Sequence, residues 1–216
     1  DGIIFENAGY LYIQPFSNGE PEKLTISIEN DQVYSRKEWV DASEYINNSG
    51  ISPKAKRAVF AARGDIWSVP AENGVTYNLT QSPGAHDREP AWSPDGKYLA
   101  WISDMNGEDQ IYIMANEPDA KPQKITKNNT YIFDFEWSPD SKKIMWNDQN
   151  FKLNYADIEE QKTKEIVHTA HGKIYSYNWS PDSKWVAYSE PRENEINVIQ
   201  LYNLDKNKKY PVTESW

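Results

Sequence analysis

The tetrapeptide Trp92-Ser93-Pro94-Asp95 decides the fold, because it occurs three times in the chain. The other copies are Trp137 to Asp140 and Trp179 to Asp182, and a degenerate copy, Ile51-Ser52-Pro53-Lys54, precedes them. The serines of the four copies are 41, 45 and 42 residues apart. A period of about 40–45 residues, with several short strands in each unit, is typical of β-propeller blades. The sequence therefore predicts an all-β propeller.

The residues around the first copy predict four antiparallel strands. Glu89 to Trp92 is the first strand, and the Ser-Pro-Asp-Gly that follows is a turn, because Pro presets φ, Asp can bond its own backbone and Gly accepts a positive φ. The second, third and fourth strands are predicted at Lys97–Ser103, Gln110–Met114 and Gln123–Thr126. Four strands joined by three hairpins make one blade.

The other units repeat this order. Second strands are predicted at 58–62, 143–147 and 185–189, third strands at 66–69, 152–156 and 197–202, and fourth strands close on the threonines 80, 126, 169 and 213. Residues 3–6, 10–14 and 22–25 match a unit that lacks its first strand. We therefore expect a partial blade at 1–26 and four full four-stranded blades at about 27–80, 81–126, 127–169 and 170–213, with the next blade starting at 214–216.

Composition excludes several classes of function. The 216 residues, with nine Trp and fourteen Tyr, suit one strand-rich core. The formal net charge of −10 argues against nucleic acid as a partner. There is no cysteine, which rules out disulfides and thiolate sites in this chain. No apolar run approaches the roughly 18 residues that a membrane span needs.

The sequence offers no constellation typical of catalysis or metal binding. No Gly-x-Ser-x-Gly surrounds any serine, and Ser93, Ser138 and Ser180 lie in the repeated turn, where they are expected to bond backbone groups. His168 and His171 form a pair with no third ligand nearby, so loop histidines are the favoured interpretation. We expect no catalytic residue, metal or cofactor.

Two acidic clusters could serve glycoside hydrolysis as paired carboxylates. They are Glu159-Glu160 and Glu193-Asn194-Glu195. Both fall in predicted hairpin connections with Lys162 or Arg192 nearby, which favours solvated turns.

One connection is longer than the repeat requires. From Thr25 to Ser52 the gap is 27 residues, against 11 to 13 in the other units, so about fourteen residues within 27–50 are inserted. Long connections on a rigid scaffold often carry function. The insertion includes Trp39, for which packing under the loop is favoured over partner binding.

The stretch Arg63-Gly64-Asp65-Ile66-Trp67-Ser68-Val69-Pro70-Ala71-Glu72 resembles the repeats of the tricorn proteases. Asn78-Leu79-Thr80 and Arg88 to Lys97 continue the likeness, which is closest over about 51–126. Members of that family carry two propellers, a PDZ-like region and a C-terminal serine protease domain. Residues 63–70 are most similar to the second, larger propeller, which is thought to admit peptides to the protease chamber.

The resemblance implies a non-catalytic propeller region of a tricorn-like serine peptidase, which gates or guides peptide substrates and scaffolds assembly. Implied partners are peptides or proteins, further domains of a longer chain, and other subunits of an oligomer. The periplasm is favoured over the cytoplasm, because bacterial relatives are commonly exported. TolB proteins and prolyl oligopeptidases use similar Ser-Pro-Asp-Gly blades, so a TolB-like propeller that acts purely as an interaction scaffold remains the alternative.

The number of predicted blades bears on whether the propeller can close into a ring. Four full blades and a partial one are fewer than the six or seven that the resemblance implies, and residues 214–216 are too few for a useful strand. We expect an open arc with an unpaired edge at Ile3 to Glu6, and a strained five-bladed ring is the alternative.

Overall fold

The computed structural model describes residues 2–7, 9–17, 19–27, 40–117 and 119–214. The chain divides into two compact units, Asp1–Val40 and Asp41–Trp216. Strands dominate both units, and among the described residues the only helix is a single 3-10 turn at Ser43–Tyr45. The fold is all-β, as predicted. Residues 28–39 of the inserted connection, with Trp39, lie outside the described residues, so a role for the insertion stays a prediction.

The first unit holds one three-stranded antiparallel sheet. Its strands are β1 (Gly2–Asn7), β2 (Tyr10–Pro15) and β3 (Glu22–Lys23), in the order β1-β2-β3. β1 is an edge strand, and Ile3 and Ile4 on it are exposed. This is the arrangement expected of a blade without its first strand, although β3 is shorter than predicted.

The second unit holds four sheets, each with four antiparallel strands paired in chain order. Blade I comprises β4 (Ile46–Ile51), β5 (Arg57–Ala62), β6 (Asp65–Pro70) and β7 (Tyr77–Asn78), and blade II comprises β8 (Arg88–Trp92), β9 (Tyr98–Ser103), β10 (Gln110–Ala115) and β11 (Gln123–Lys124). Blade III comprises β12 (Ile132–Trp137), β13 (Lys143–Asp148), β14 (Lys152–Asp157) and β15 (Lys162–His168), and blade IV comprises β16 (Tyr177–Trp179), β17 (Trp185–Pro191), β18 (Asn197–Asn203) and β19 (Lys208–Pro211). The predicted blade boundaries and the closure of the blades into an arc or a ring remain predictions.

The repeated Ser-Pro-Asp has a clear structural purpose in the turn between the first two strands. In blade II the Ser93 hydroxyl donates to Asp95 Oδ1 at 2.7 Å and accepts from the backbone N–H of Tyr98 at 3.0 Å. Asp95 Oδ1 also accepts from the backbone N–H of Lys97 at 3.0 Å. The same three bonds recur around Ser138 and around Ser180. A serine and an aspartate two residues apart thus satisfy backbone donors that the turn leaves unpaired.

The closing threonines also bond the backbone. Thr80, Thr126 and Thr213 lie just beyond their fourth strands, and each Oγ1 accepts an N–H near the start of the third strand, at 3.1, 2.9 and 2.9 Å. Thr169, the irregular member, instead donates its hydroxyl proton to Gly172 O, and the same oxygen lies 3.3 Å from Phe151 O.

The apolar core lies between neighbouring blades. Three buried clusters fill the interfaces: Val59, Ile66, Leu99 and Trp101 between blades I and II, Ile102, Ile111, Ile144 and Trp146 between II and III, and Met145, Leu153, Val186 and Tyr188 between III and IV. Because both faces of blades II and III are covered, successive residues of their second strands are buried rather than alternate ones, as in Leu99–Ser103.

Candidate functional site

The serines that the sequence singles out lie in the repeated turns, and the two histidines lie at the surface. Ser93 and Ser138 are fully buried in the repeated turns, where they bond the backbone. His168 and His171 are exposed, and the described part of the chain contains no group of three His, Asp or Glu placed to hold a metal ion. That Ser93, Ser138, Ser180 and the histidines are non-catalytic stays a prediction.

The two acidic clusters occupy exposed hairpin connections. Glu160 pairs with Lys162 at 3.0 Å between β14 and β15, and both side chains are largely in solvent. Glu193 and Glu195 are also exposed, between β17 and β18. Arg192 forms its ion pair with Glu190, at 3.1 Å, rather than with either of them.

Carboxylates also lie along the first strands of the blades. In a propeller the blades surround a central channel, and here the first strands of blades I and II, β4 and β8, contact each other. Asp134 and Glu136 lie two residues apart on the same side of β12, and Glu89 lies on β8 three residues before Trp92, as Asp134 lies three residues before Trp137. Asp134 is exposed, and Glu89 and Glu136 are half-buried. These three carboxylates are the acidic row.

Hydrogen bonds and burial shape the acidic row. Asn48 Nδ2 on β4 donates to Glu89 Oε1 at 2.9 Å, and the Tyr177 hydroxyl on β16 donates to Asp134. Burial, and then the charge of Asp134, raise the pKa of Glu136 above its usual value. Burial and the hydrogen bond to Asp134 raise the pKa of Tyr177. Negative charge on Glu136, beside Asp134, is therefore poorly compensated, and a cation at this place would be stabilised.

A second feature emerges from how the blades are joined. Between blades II and III, Trp137 Nε1 donates to Ala91 O at 3.1 Å, and Asp95 N donates to Ser141 Oγ at 3.0 Å. Ile158, which follows the third strand, is 9% exposed in the same apolar cluster as Trp137.

Blades III and IV are joined by the same three elements. Trp179 Nε1 donates to Glu136 O at 3.3 Å, Asp140 N donates to Ser183 Oγ at 3.0 Å, and Leu204 occupies the place of Ile158. The backbone fixes that equivalence, because the N–H groups of Asn116, Ile158 and Leu204 donate to Lys97 O, Lys142 O and Lys184 O at 2.7, 3.0 and 3.0 Å.

Blades I and II lack all three elements. The residue equivalent to Ser141 is Gly96, which has no hydroxyl, and the residue equivalent to Ile158 is the exposed Asn116. The indole N–H of Trp92 is buried but has no hydrogen-bond partner among the described residues. Trp137 and Trp179 are 7% and 8% exposed, and Trp92 is partly buried and packs against the cluster between blades I and II.

The missing elements leave a cleft between blades I and II. It is a cavity of about 610 Å³, whose lining includes the apolar Leu79, Trp92, Leu99 and Met114 and the polar Arg57 and Asn116. Arg57 is held by Ser68, through Nε to Oγ at 2.6 Å and Nη2 to O at 2.9 Å. We call this cavity the I/II cleft.

A buried ion pair joins blades II and III near the first strands. Arg88 Nη2 lies 2.6 Å from Asp109 Oδ2 and donates to Ile132 O at 2.8 Å, while Asp109 Oδ2 accepts from Ile132 N at 2.8 Å. The guanidinium also lies 4.6 Å from the ring centre of Tyr131. Both charged side chains are about nine-tenths buried.

Comparison with known proteins identifies this set of blades. The family described as the tricorn protease second beta propeller domain matches residues 46–216, which span all four full blades. The chain belongs to this family. The tricorn propeller family was the resemblance that residues 63–97 carried, and that prediction is confirmed. Among the described residues of this tricorn-family propeller, no helix has both the length and the apolar character to cross a membrane.

Individual relatives extend the comparison. The tricorn protease homolog of Saccharolobus solfataricus is 24% identical over 94% of this chain, but the chain covers only 18% of that protein. A crystal structure of the tricorn protease superposes over 98% of this chain and 21% of its own, with a TM-score of 0.73 and 18% identity. A putative TolB from Agrobacterium tumefaciens superposes over 79% of this chain and 62% of its own, with a TM-score of 0.60 and 22% identity. At such identities the two solved structures show the fold alone.

Proposed function

We propose that this tricorn-family propeller is a non-catalytic region of a serine peptidase, where it guides peptide substrates along the first strands of its blades. The observation that supports the proposal is the acidic row on β8 and β12. A peptide carries a positive amino terminus and often basic side chains, and these would be attracted by poorly compensated carboxylates. The chain also scaffolds assembly, because the joints from blade II to blade IV hold these strands in fixed register.

The proposal is tested by peptide binding to the purified chain, followed by fluorescence anisotropy. A labelled lysine-rich peptide with a free amino terminus should bind weakly, and binding should weaken as salt is added, since exposed charges are screened. The Asp134→Asn, Glu136→Gln double variant should bind the peptide several-fold more weakly.

A matched control separates the acidic row from overall charge. Glu159→Gln with Glu160→Gln removes the same charge from an exposed hairpin, so it should leave affinity nearly unchanged. Equal losses in the two double variants, or no binding at all, would contradict guidance by the acidic row. In the second case a pure interaction scaffold of the TolB kind becomes the better description.

A further inference from the structure

We propose that the I/II cleft is a binding site for one aliphatic side chain of a peptide together with the backbone carbonyl next to it. This site lies between two blades and is separate from the acidic row, so the inference does not rest on peptide guidance along the first strands. The inference rests on the difference between this joint and the two joints that follow it in the chain, which have a tryptophan hydrogen bond, a serine hydroxyl and an aliphatic residue that this joint lacks.

The protein's own repeat indicates the shape and chemistry of the occupant. At the joint between blades II and III the equivalent space is filled by Ile158, which packs in the same cluster as Trp137. At the joint between blades III and IV it is filled by Leu204, in the same cluster as Trp179. At blade II that position is Asn116, whose side chain is exposed and donates to Gly96 O at 3.2 Å instead. A branched aliphatic group supplied from outside would therefore contact the surfaces of Trp92, Leu99 and Met114, as Ile158 and Leu204 contact theirs.

The polar atoms of the cleft indicate a hydrogen-bond acceptor beside that group. Trp137 and Trp179 donate their indole N–H to a backbone carbonyl of the preceding blade, and Trp92 does not. Because Trp92 Nε1 is covered in the unoccupied cleft, a carbonyl oxygen of the bound peptide would complete the same bond once the side chains around the indole move apart. Arg57 adds positive charge at the cleft and forms no ion pair with any residue that the structure describes, which also favours an acceptor.

The size of the cleft fits this occupant. The cavity of about 610 Å³ lies within the range of roughly 300–1,000 Å³ that small-ligand sites span. It therefore admits a side chain with its flanking peptide groups. Glu117 and Asp119 also line the cleft, so a peptide with a further acidic side chain should be disfavoured.

The test uses small probes and the indole N–H resonance of Trp92 in two-dimensional NMR of the whole chain. The resonance is assigned by its disappearance in Trp92→Phe. N-acetyl-leucine methylamide should shift it saturably, with a dissociation constant in the millimolar range. N-acetylglycine methylamide, which has the same carbonyls but no side chain, should bind at least about tenfold more weakly, as the loss of an aliphatic group in an apolar pocket predicts.

A variant that fills the cleft provides the second arm. Asn116→Leu restores the residue type found at 204 and should abolish the shift by the leucine probe while keeping or raising the melting temperature. Asn129→Leu, the same change at an exposed loop position outside the cleft, should bind like the unaltered chain. Equal shifts by both probes, no shift of the Trp92 resonance, or undiminished binding to Asn116→Leu would overturn the proposal. The comparison of the two probes needs no variant, so it holds even where a substitution impairs folding.

Discussion

The buried ion pair of blade II, which bonds Ile132 of blade III, allows a specific prediction about stability. Replacing Asp109 with alanine leaves the Arg88 guanidinium, whose side chain is 10% exposed, without its carboxylate. It also leaves the N–H of Ile132, which donates to Asp109 at 2.8 Å, without an acceptor. Breaking a buried pair by removing one partner costs about 3–5 kcal/mol. Because Arg88 keeps its bonds to Ile132 O and its contact with Tyr131, we expect a loss at the low end, about 3 kcal/mol.

Urea unfolding followed by tryptophan fluorescence measures this loss. For a slope of roughly 1–3 kcal/mol per molar urea, Asp109→Ala should lower the midpoint by about 1 M or more. Asp109→Asn removes the charge but keeps an oxygen for Ile132 N, so it should lose less than Asp109→Ala. Arg88→Met combined with Asp109→Leu should cost less than the sum of the two single changes, because no buried charge is left unpaired.

An exposed pair in the same chain provides the control. Lys162 and Glu160 are 3.0 Å apart but their side chains are 76% and 62% exposed. Glu160→Ala should therefore change the stability by no more than about 0.5 kcal/mol. If Asp109→Ala cost no more than Glu160→Ala, the reasoning that burial makes the Arg88–Asp109 pair important would be wrong.

The remaining predictions concern protonation, the tryptophan joints and chemistry. The pKa of Glu136 is raised in the folded state, so ionisation of this side chain disfavours folding. Glu136→Gln should therefore raise the free energy of unfolding at neutral pH, and this stabilisation should vanish below the ordinary glutamate pKa of about 4.3. Urea unfolding repeated across pH measures both effects. Trp137→Phe should destabilise the chain by about 1 kcal/mol more than Trp92→Phe, since only Trp137 loses a hydrogen bond, and equal midpoints for the two variants would refute this. Incubated with peptides, the purified chain should release no cleavage products, and mass spectrometry of the peptide mixture checks this. A serine-directed inhibitor should label no residue, and mass spectrometry of the treated chain would contradict the reasoning if any serine carried the label.

The sequence by itself determined the blade architecture. The Ser-Pro-Asp turn is a local device, since its hydroxyl and carboxylate bond backbone groups within about five residues. Its repetition therefore marks each blade without knowledge of the rest of the fold, and the closing threonines do the same for the third and fourth strands. The Arg63–Lys97 stretch was also sufficient to indicate the family.

Only the tertiary structure decided which positions matter at the joints. Asn116 and Gly96 look like ordinary loop and turn residues in the sequence. Only the structure shows that they stand where the neighbouring joints have an aliphatic residue such as Ile158 and a serine. Likewise, Arg88 and Asp109 are 21 residues apart in blade II, and both bond the backbone of Ile132 in blade III. Contacts between blades depend on how the sheets pack face to face, and this information is spread over residues about one repeat apart. Local sequence patterns do not contain it.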